Sequence, residues 1–419
     1  MKLATSNSYA STSLALCGVI LAGCSGARAG IPFAPNDRTT TGASSVMRAE
    51  HTSAQTRTAY GFKTIYAFKG GSNGRSPGAL TSMNGVLYGV TGGGSGAAGG
   101  TVFSATTAGQ LETLHRFKDP SEGFGPNELV AVDAKLFGTT YGGGVKGRGV
   151  VFSMSSSGVE RVLYHFRGAP DGSNPNTLIS LSGTLYGTTA YGGTYGKGTV
   201  FEISATGQEH VVYSFKGGAD ASMPNGLIGA GHELYGTSEF GGRHGVGSVF
   251  EVTLGGSERL LHSFENLPGG RLPAGGLIEV NHQLYGTTSE GCKSGAGMVF
   301  GLSLAGKEQV LGCFRSSQTF DLNGRLVDAG GILYGTSVYG GSGSCPTYPG
   351  EPGGCGSVFA LTSSGRTTLL HDFQGVDGAF PGGLVEMNGT LYGTTSMGGS
   401  SNSGTIFAVL ELRGAFNVR

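Results

Sequence analysis

Histidine is the side chain most suited to acid–base chemistry near neutral pH, and three of the nine histidines recur at one spacing. His115, His262 and His371 each stand two residues before a phenylalanine. Tyrosines hold the same position in three other segments, namely Tyr66, Tyr164 and Tyr213. A position shared by histidine and tyrosine indicates a packed ring with a polar tip, so we expect no catalytic histidine there.

Acidic residues recur at a second position, in the short segment before a proline. They are Glu122, Asp171, Asp220 and Asp377. Short acidic side chains bind their own backbone in turns, whereas a calcium site needs several oxygens around one point. Equivalent turns one repeat apart do not converge. We therefore interpret these residues as turn formers and expect neither a metal nor a cofactor.

Four of the six cysteines lie in the repeat region. Cys345 and Cys355 flank a ten-residue insertion. An oxidising compartment and a loop of this size favour a disulfide between them. Cys292 and Cys313 lie in a glycine-rich loop and a strand of one unit, and the spacing leaves open whether they pair.

All these residues belong to a repeat built around one phrase, Leu185-Tyr186-Gly187-Thr188-Thr189. Its aromatic residue occurs seven times, at steps of 49 or 50 residues with one step of 58: Tyr88, Phe137, Tyr186, Tyr235, Tyr285, Tyr334 and Tyr392. A period of this length is typical of a propeller or a solenoid. The 82 glycines fall at fixed offsets, which indicates turns rather than low complexity.

Each unit contains four short runs typical of strands, bounded by glycine, proline or asparagine. In the fourth unit they are residues 226–229, 233–239, 247–253 and 258–264. Adjacent apolar pairs such as Val249-Phe250 point to opposite faces of a sheet, so both faces must be covered. Four strands with two buried faces predict the blade of a β-propeller.

The two ends of the repeat predict how the ring closes. The seventh unit stops after its third strand at 404–410, and a lone fourth strand at 61–68 precedes the first unit. If that strand completes the last blade, no unpaired edge remains at the seam. We predict an all-β, seven-bladed β-propeller of four-stranded antiparallel blades at residues 60–412, followed by a tail at 413–419. An open solenoid is the alternative.

The repeat resembles a bacterial extracellular family, the choice-of-anchor tandem repeat GloVer-containing proteins. The resemblance rests on Leu-Tyr-Gly-Thr-Thr and on Gly198-Thr199-Val200-Phe201 after a glycine-rich loop, and it covers about residues 60–410. It implies an exported protein with a surface anchor. It implies no activity.

The N-terminal residues 1–24 have the pattern of an export signal, with Lys2 before a short apolar stretch. Its end, Leu21-Ala22-Gly23-Cys24, resembles the lipobox of bacterial lipoproteins, which implies acylation of Cys24. Residues 25–59 are polar and predict a flexible tether. We expect a lipid-anchored protein of the outer membrane or cell surface. Cleavage at Ala27-Arg28-Ala29 and soluble secretion is the alternative.

The fold predicts where a ligand would bind. In a propeller, the loops between the second and third strands share one face with the blade-to-blade loops, around the central channel. The former carry an aromatic residue before Gly-Gly in four units, and the insertion adds another. We predict ligand-binding residues at this mouth: Tyr141, Tyr191, Phe240, Glu290, Tyr339 and Tyr348. Alternatively, each aromatic ring rests on the neighbouring blade.

Lys plus Arg and Asp plus Glu balance at 27 each, so no net charge attracts nucleic acid or an anionic membrane. We expect membrane contact only through the anchor. The predicted function is a binding or scaffolding module whose partner is an envelope glycan, a protein or a small molecule. A polysaccharide lyase or hydrolase is the alternative, sought where two units depart from the repeat: Glu290, Cys292, Gly312, Arg315 and Arg325. A structural surface protein is the third possibility.

Overall fold

The computed structural model describes residues 61–93, 99–314, 321–345 and 353–410. The signal at 1–24 with Cys24, the tether at 25–59, the tail at 413–419, Arg315 and Tyr348 lie outside these ranges, and what we expect of them stays a prediction. Among the described residues, no helix has the length and apolar character needed to cross a membrane.

Apart from a 3-10 turn at Gly71–Asn73, the regular structure of the described residues is all β. In chain order the strands are β1 (Gly61–Ala67), β2 (Arg75–Met83), β3 (Val86–Gly93), β4 (Thr101–Ala105), β5 (Leu111–Arg116), β6 (Phe124–Val132), β7 (Lys135–Gly142), β8 (Val150–Ser155), β9 (Glu160–His165), β10 (Gly172–Leu181), β11 (Thr184–Gly192), β12 (Thr199–Ile203), β13 (Glu209–Ser214), β14 (Ala221–Ala230), β15 (Glu233–Gly241), β16 (Ser248–Thr253), β17 (Glu258–Ser263), β18 (Arg271–Val280), β19 (Gln283–Glu290), β20 (Met298–Ser303), β21 (Glu308–Cys313), β22 (Val327–Ala329), β23 (Ile332–Ser337), β24 (Ser357–Thr362), β25 (Thr367–Asp372), β26 (Ala379–Met387), β27 (Thr390–Met397) and β28 (Thr405–Leu410).

These strands form seven four-stranded antiparallel sheets, which confirms the seven-bladed propeller. Blades 1 to 6 are β2–β5, β6–β9, β10–β13, β14–β17, β18–β21 and β22–β25, and blade 7 is β26, β27, β28 and β1. β1 pairs with β28, with Gly61 opposite Leu410 and Ala67 opposite Thr405. The N-terminal strand therefore completes the last blade, as the sequence predicts, and the open solenoid is excluded.

The first strands of the blades form the innermost layer. Each of them contacts the first strand of both neighbouring blades, and the series β2, β6, β10, β14, β18, β22 and β26 returns to β2. These seven inner strands surround the central axis. The fourth strands lie at the outer edge of the sheets.

The repeated phrase covers both faces of a blade. In blade 3, Leu185 packs with Phe137 in the core between blades 2 and 3. Its neighbour Tyr186 packs with Phe250 in the core between blades 3 and 4. Because successive residues of a strand point to opposite faces, one Leu-Tyr pair contributes to two interfaces.

The glycine of the phrase makes room for an aromatic pair. A Cβ on Gly187 would lie 2.5 Å from the ring of Phe201 on the next strand, so only glycine fits. Phe201 in turn meets Phe166 of blade 2 edge to face, with ring centroids 5.1 Å apart. Equivalent pairs, edge to face or tilted, occur at all seven interfaces with centroids 4.8–5.3 Å apart: Phe68–Phe103, Phe117–Phe152, Phe166–Phe201, Phe215–Phe250, Phe264–Phe300, Phe314–Phe359 and Phe373–Phe407.

The predicted start of the first strand is wrong. In the fourth unit the strand begins at Ala221 rather than at residue 226, and it runs through Pro224. Proline normally interrupts a strand because it lacks an N–H donor. Here the strand is the inner edge of its sheet, so proline can be accommodated there. The other three strands of this unit agree with the prediction within two residues.

Both cysteine pairs form disulfides. Cys345–Cys355 is confirmed, with Cα atoms 5.1 Å apart. Cys292 and Cys313, which the spacing left open, are also bonded, with Cα atoms 5.9 Å apart. They meet because the loop after β19 folds back onto the outer strand, where the Ser294 hydroxyl donates to the carbonyl of Phe314. Two disulfides fit an oxidising, extracytoplasmic location.

Candidate functional site

The candidate site lies on the loop face, which we define as the loops between second and third strands together with the blade-to-blade loops. Backbone hydrogen bonds join the two kinds of loop within a blade. The N–H of Gly193 donates to the carbonyl of Asp171 at 2.7 Å, and that of Gly242 to Asp220 at 2.8 Å. The loops are therefore supported by backbone groups, which leaves their outer side chains available to solvent.

Each loop is also fixed to the next blade. The N–H of Asn174 donates to the carbonyl of Arg148 at 2.8 Å, and that of Met223 donates to Lys197 at 3.0 Å. Asn174 and Met223 have φ values of 58° and 54°, a left-handed conformation that side chains rarely adopt. Such a conformation persists where surrounding contacts enforce it, so these joints hold the loop face in one geometry.

Exposed apolar side chains are concentrated on this face. Among the residues that the structure describes, thirteen large hydrophobic side chains are exposed, and eight of them lie on this face: Phe124, Val145, Tyr191, Tyr195, Phe240, Leu267, Val376 and Met397. The remaining five are distributed between the opposite face and the outer edges of the blades. Apolar groups gathered on one face of a protein are typical of an interaction surface.

The predicted mouth residues divide into two groups. Tyr191 and Phe240 are 42% and 38% exposed at the ends of β11 and β15, as a binding role requires. Tyr141 is half-buried, and Tyr339 packs edge to face on Phe380 of blade 7, with centroids 5.4 Å apart. Tyr339 therefore follows the alternative in which the aromatic ring rests on the neighbouring blade.

Glu290, also predicted at the mouth, forms an ion pair with Arg271 across the ends of β19 and β18. Of the other departures in the fifth and sixth units, Cys292 is in a disulfide and Gly312 is buried in the outer strand β21. Arg325 comes just before β22 and donates from Nε to the carbonyl of Leu277 at 3.2 Å. These departures do not gather into one cluster.

A cavity of about 340 Å³ opens on the loop face between blades 6 and 7. Phe380, Met397 and Val376 give it an apolar wall. Its polar residues are Ser344, Gln374 and Asn402, and Cys345 brings the disulfide to its edge. It therefore lies beside the insertion, where the repeat is broken.

Asp377 supports the loop that carries Val376. It accepts hydrogen bonds from the backbone N–H of Gln374 at 2.8 Å and pairs with His371 Nε2 at 2.8 Å. Burial alone would raise the pKa of Asp377, but these bonds outweigh it and lower the pKa below its ordinary value. The ring of His371 stacks on Phe62 with centroids 3.4 Å apart. Both residues thus have the packing and turn-forming roles that the sequence predicts.

Similar contacts recur at the outer edge and form what we call rim clusters. Each contains the ring residue of a fourth strand, the acidic residue of the following turn and a glutamate that begins the fourth strand of the next blade. Tyr164 donates to Asp171 and Tyr213 to Asp220, both at 3.0 Å. The four clusters are His115–Glu122–Glu160, Tyr164–Asp171–Glu209, Tyr213–Asp220–Glu258 and His262–Glu265–Glu308. In each cluster, burial raises the pKa of the glutamate that begins the fourth strand of the next blade to about 7.

In the described part of the chain, no group of three or more His, Cys, Asp or Glu side chains has a geometry that could hold a metal ion. The acidic turns behave as turn formers: Asp171, for example, accepts from the backbone N–H groups of Arg167 and Gly172.

Sequence reasoning missed the wall of the cavity. Val376 and Phe380 lie in and just after a blade-to-blade loop, and nothing in their spacing distinguishes them from packing residues. Met397 could have been recognised from the sequence, because it occupies the position that holds an aromatic residue in four other units. The cavity depends on two adjacent blades, so no single unit could have predicted it.

The fold and the repeat together define a class, the β-propellers built from long glycine-rich repeats. The chain belongs to the Gloeobacter/Verrucomicrobia repeat family, whose profile matches residues 52–228 and again 161–348. These matches span well over half of the chain and confirm the resemblance seen in the motifs.

Solved structures show the same general fold at low identity. A puromycin hydrolase is 12% identical with a TM-score of 0.51, and the alignment covers 77% of this chain and 50% of that one. A gluconolactonase of Xanthomonas campestris is 15% identical with a TM-score of 0.41, covering 66% of this chain and 82% of that one. The first likeness shows the fold alone, and the second is too distant to add to it. No curated protein matches the sequence.

Proposed function

We propose that the protein is an exported binding module that recognises an envelope glycan through its loop face. The cavity between blades 6 and 7 is the principal contact in this proposal. The observation that carries it is the position of the cavity, beside the insertion that breaks the repeat and is closed by Cys345–Cys355. Function on regular scaffolds is concentrated in such irregular loops.

The chemistry of the cavity supports a sugar ring as ligand. Met397 and Val376 offer apolar contacts and are 40% and 82% exposed, so they can cover the apolar face of a pyranose. Asn402, Gln374 and Ser344 lie around the same opening and can hydrogen bond to hydroxyl groups. Pockets that combine an apolar wall with a few polar groups are typical of small-ligand sites.

The lyase or hydrolase alternative has less support. It requires carboxylate, histidine or tyrosine groups around one reacting atom. At the described mouth, the charge of Glu290 is already paired with that of Arg271. We therefore favour a binding function over a catalytic one.

A glycan array probed with the purified protein tests this function. Met397→Ala and Val376→Ala should each weaken binding several-fold, because each removes apolar area from the cavity wall. Leu254→Ala is the matched control, since Leu254 is 41% exposed in the loop that joins β16 and β17 on the opposite face. Equal loss in all three variants, or binding to no glycan, would overturn the proposal.

The lipid anchor is a separate part of the proposal. Mass spectrometry of the mature protein should find diacylglycerol on Cys24, and Cys24→Ala should release the protein in soluble form. A wild-type protein that is already soluble and begins at Gly30 would instead establish secretion after Ala27-Arg28-Ala29.

A further inference from the structure

Basic side chains are gathered on one part of the loop face. The charges of the whole chain balance, but the loops of blades 2 and 3 on this face contain five cations and only two carboxylates, Asp171 and Asp220. All five cations are exposed, and no ion pair among the described residues includes any of them. We call these five residues the basic patch: Lys146, Arg148, Arg167, Lys197 and Lys216.

The patch is a departure from the repeat. Two equivalent positions of each unit hold Arg148 and Arg167 in blade 2 and Lys197 and Lys216 in blade 3. Blades 2 and 3 are neighbours, so two cation pairs lie side by side. In every other blade at least one of the two positions is uncharged or acidic: Gly99 and Lys118, Val246 and Glu265, Ala296 and Arg315, Cys355 and Gln374, and Ser403 and Lys69.

The loops bring the two cations of each pair together. Arg148 and Lys197 lie at the joints to the next blade, where their carbonyls accept backbone hydrogen bonds. The side chain of Arg148 lies beside Gly168, which follows Arg167, and a Cβ on Gly168 would be 3.6 Å from its Nε. Lys197 lies beside Gly217 in the same way, with its Cγ 3.1 Å from the position of a Cβ. Each pair therefore forms one continuous basic surface.

The two carboxylates of these loops are already bound within the protein. Asp171 accepts hydrogen bonds from the hydroxyl of Tyr164 and the backbone N–H of Arg167. Asp220 has the equivalent contacts one blade further. Both acidic residues are half-buried, whereas the five basic residues are exposed. The charge that faces solvent is thus mainly positive and attracts an anionic partner.

Two exposed aromatic rings lie in the same loops. Tyr191 and Tyr195 are 42% and 54% exposed, and Tyr195 comes two residues before Lys197 in the loop that joins β11 and β12. A tyrosine ring offers an apolar surface with a polar tip, on which the apolar face of a sugar can pack. Rings beside unpaired cations suit a partner that has both sugar units and negative charges.

We infer that the basic patch binds an acidic polysaccharide, a polymer whose sugar units carry carboxylate groups. The guanidinium groups of Arg148 and Arg167 can each bind both oxygens of a carboxylate. The ammonium groups of Lys197 and Lys216 add further charge contacts. This inference rests on the proposed glycan-binding function and names the class of glycan. The patch and the cavity lie on the same face, so one polymer can contact both.

Polygalacturonate and its methyl ester test the inference on the purified full chain, because they share the sugar chain and differ in charge. At about 0.1 M salt, polygalacturonate should bind about tenfold more tightly than the ester. At about 1 M salt, where charges interact only within about 3 Å, that advantage should disappear.

Three outcomes would overturn the inference. Equal affinity for polygalacturonate and the ester would do so while supporting a glycan-binding function. Failure of both polymers to bind would also do so, and the glycan array would still decide the proposed function. Equally tight binding of double-stranded DNA or of phosphatidylglycerol vesicles would show a general polyanion surface instead.

Variants locate the contact. Arg148→Gln with Lys197→Gln should weaken polygalacturonate binding about tenfold, because exposed charge contacts are individually weak. Lys135→Gln with Lys307→Gln is the matched control, since it removes the same charge from exposed residues of the opposite face and should leave binding unchanged. Met397→Ala should weaken both polymers alike. Thermal melting checks that the variants fold. Equal loss in the two double variants, or no loss in the first, would show that the basic patch does not bind the polymer.

Discussion

Adjacent blades 3 and 4 are joined by polar contacts that adjacent blades 5 and 6 lack. At the first interface, Asn176 donates from Nδ2 to the carbonyl of Pro224 at 2.6 Å, and Tyr213, Asp220 and Glu258 form a rim cluster. At the second, Ala274 stands in the position of that asparagine and Gly312 in the position of the ring residue. Blades built from the same repeat are thus joined to their neighbours by different polar contacts.

Other links hold the interface of blades 5 and 6. Phe314 and Phe359 keep the aromatic contact, and Arg325 donates to Leu277. The disulfide of Cys292 and Cys313 fixes the outer strand of blade 5, directly before Phe314. The difference teaches that the aromatic pair is the common element of every interface, whereas the polar ties can be replaced. We therefore expect the ring to open more readily between blades 5 and 6 than between blades 3 and 4.

The largest expected effect is the loss of that disulfide. Cys292→Ser with Cys313→Ser should lower the free energy of unfolding by about 3 kcal/mol, because a loop of 21 residues is no longer closed in the unfolded chain. Native-state hydrogen exchange should show the loss first in β20 and β21 and in the facing strand β24.

The matched control is Cys345→Ser with Cys355→Ser, which opens the insertion loop in blade 6. Its effect on exchange should remain near the loop and β24. If the first variant instead accelerated exchange in blades 3 and 4 as strongly as in blade 5, the interface of blades 5 and 6 would not be the weak point.

A smaller effect is expected at the interface of blades 3 and 4. Asn176→Ala removes one hydrogen bond between blades 3 and 4 and should lower the free energy of unfolding by about 1 kcal/mol. Asn176→Asp is the sharper control, because it keeps the size but loses the donor to the Pro224 carbonyl. Denaturant unfolding measures both. If Asn176→Asp retained wild-type stability, the hydrogen bond would not contribute.

The repeat predicted the blades and the closure because those depend on features present in every unit. The Leu-Tyr pair contributes to two interfaces, and the glycine makes room for Phe201. Because every blade needs these residues, they recur in the sequence at a fixed spacing. The start of β14 was missed because Pro224 is a normal strand breaker whose effect vanishes at a free inner edge.

The candidate sites were less predictable, since each combines residues of different blades. The cavity combines Ser344 and Gln374 of blade 6 with Met397 and Asn402 of blade 7, and only the packing of the two blades brings them together. The pairing of Cys292 with Cys313 could not be predicted for a related reason. The loop after β19 folds over the outer strand, where the Ser294 hydroxyl donates to the carbonyl of Phe314, and the side-chain pattern does not reveal this contact. At Tyr339 the ring rests on Phe380 of the next blade, which is the alternative that the sequence left open, because the exposure of each ring depends on the residue that the next blade places beside it.

The smallest expected effect is a pH dependence of stability, and it again distinguishes the interface of blades 3 and 4 from that of blades 5 and 6. Burial raises the pKa of Glu209 and of Glu258 to about 7 in the folded protein, against an unfolded value of 4.5. Folding therefore takes up protons between these values, and the stability contributed by each glutamate is full below pH 4.5 and lost as the pH rises through about 7. The carboxyl groups are half-buried, so solvent screening keeps the effect modest.

The loss of stability with rising pH should be clearest in the rim clusters that contain tyrosine. In the clusters of His115 and His262, burial lowers the histidine pKa, and that stability is lost as the pH falls below 6.5, which opposes the glutamates. Glu209→Gln with Glu258→Gln should thus flatten the melting temperature between pH 5 and pH 7.5 relative to wild type. Blade 6 begins its fourth strand with Thr367, so Thr367→Val is the control and should leave the slope unchanged. If the double variant kept the wild-type slope, the rim clusters would not couple blades 2 to 4 to pH.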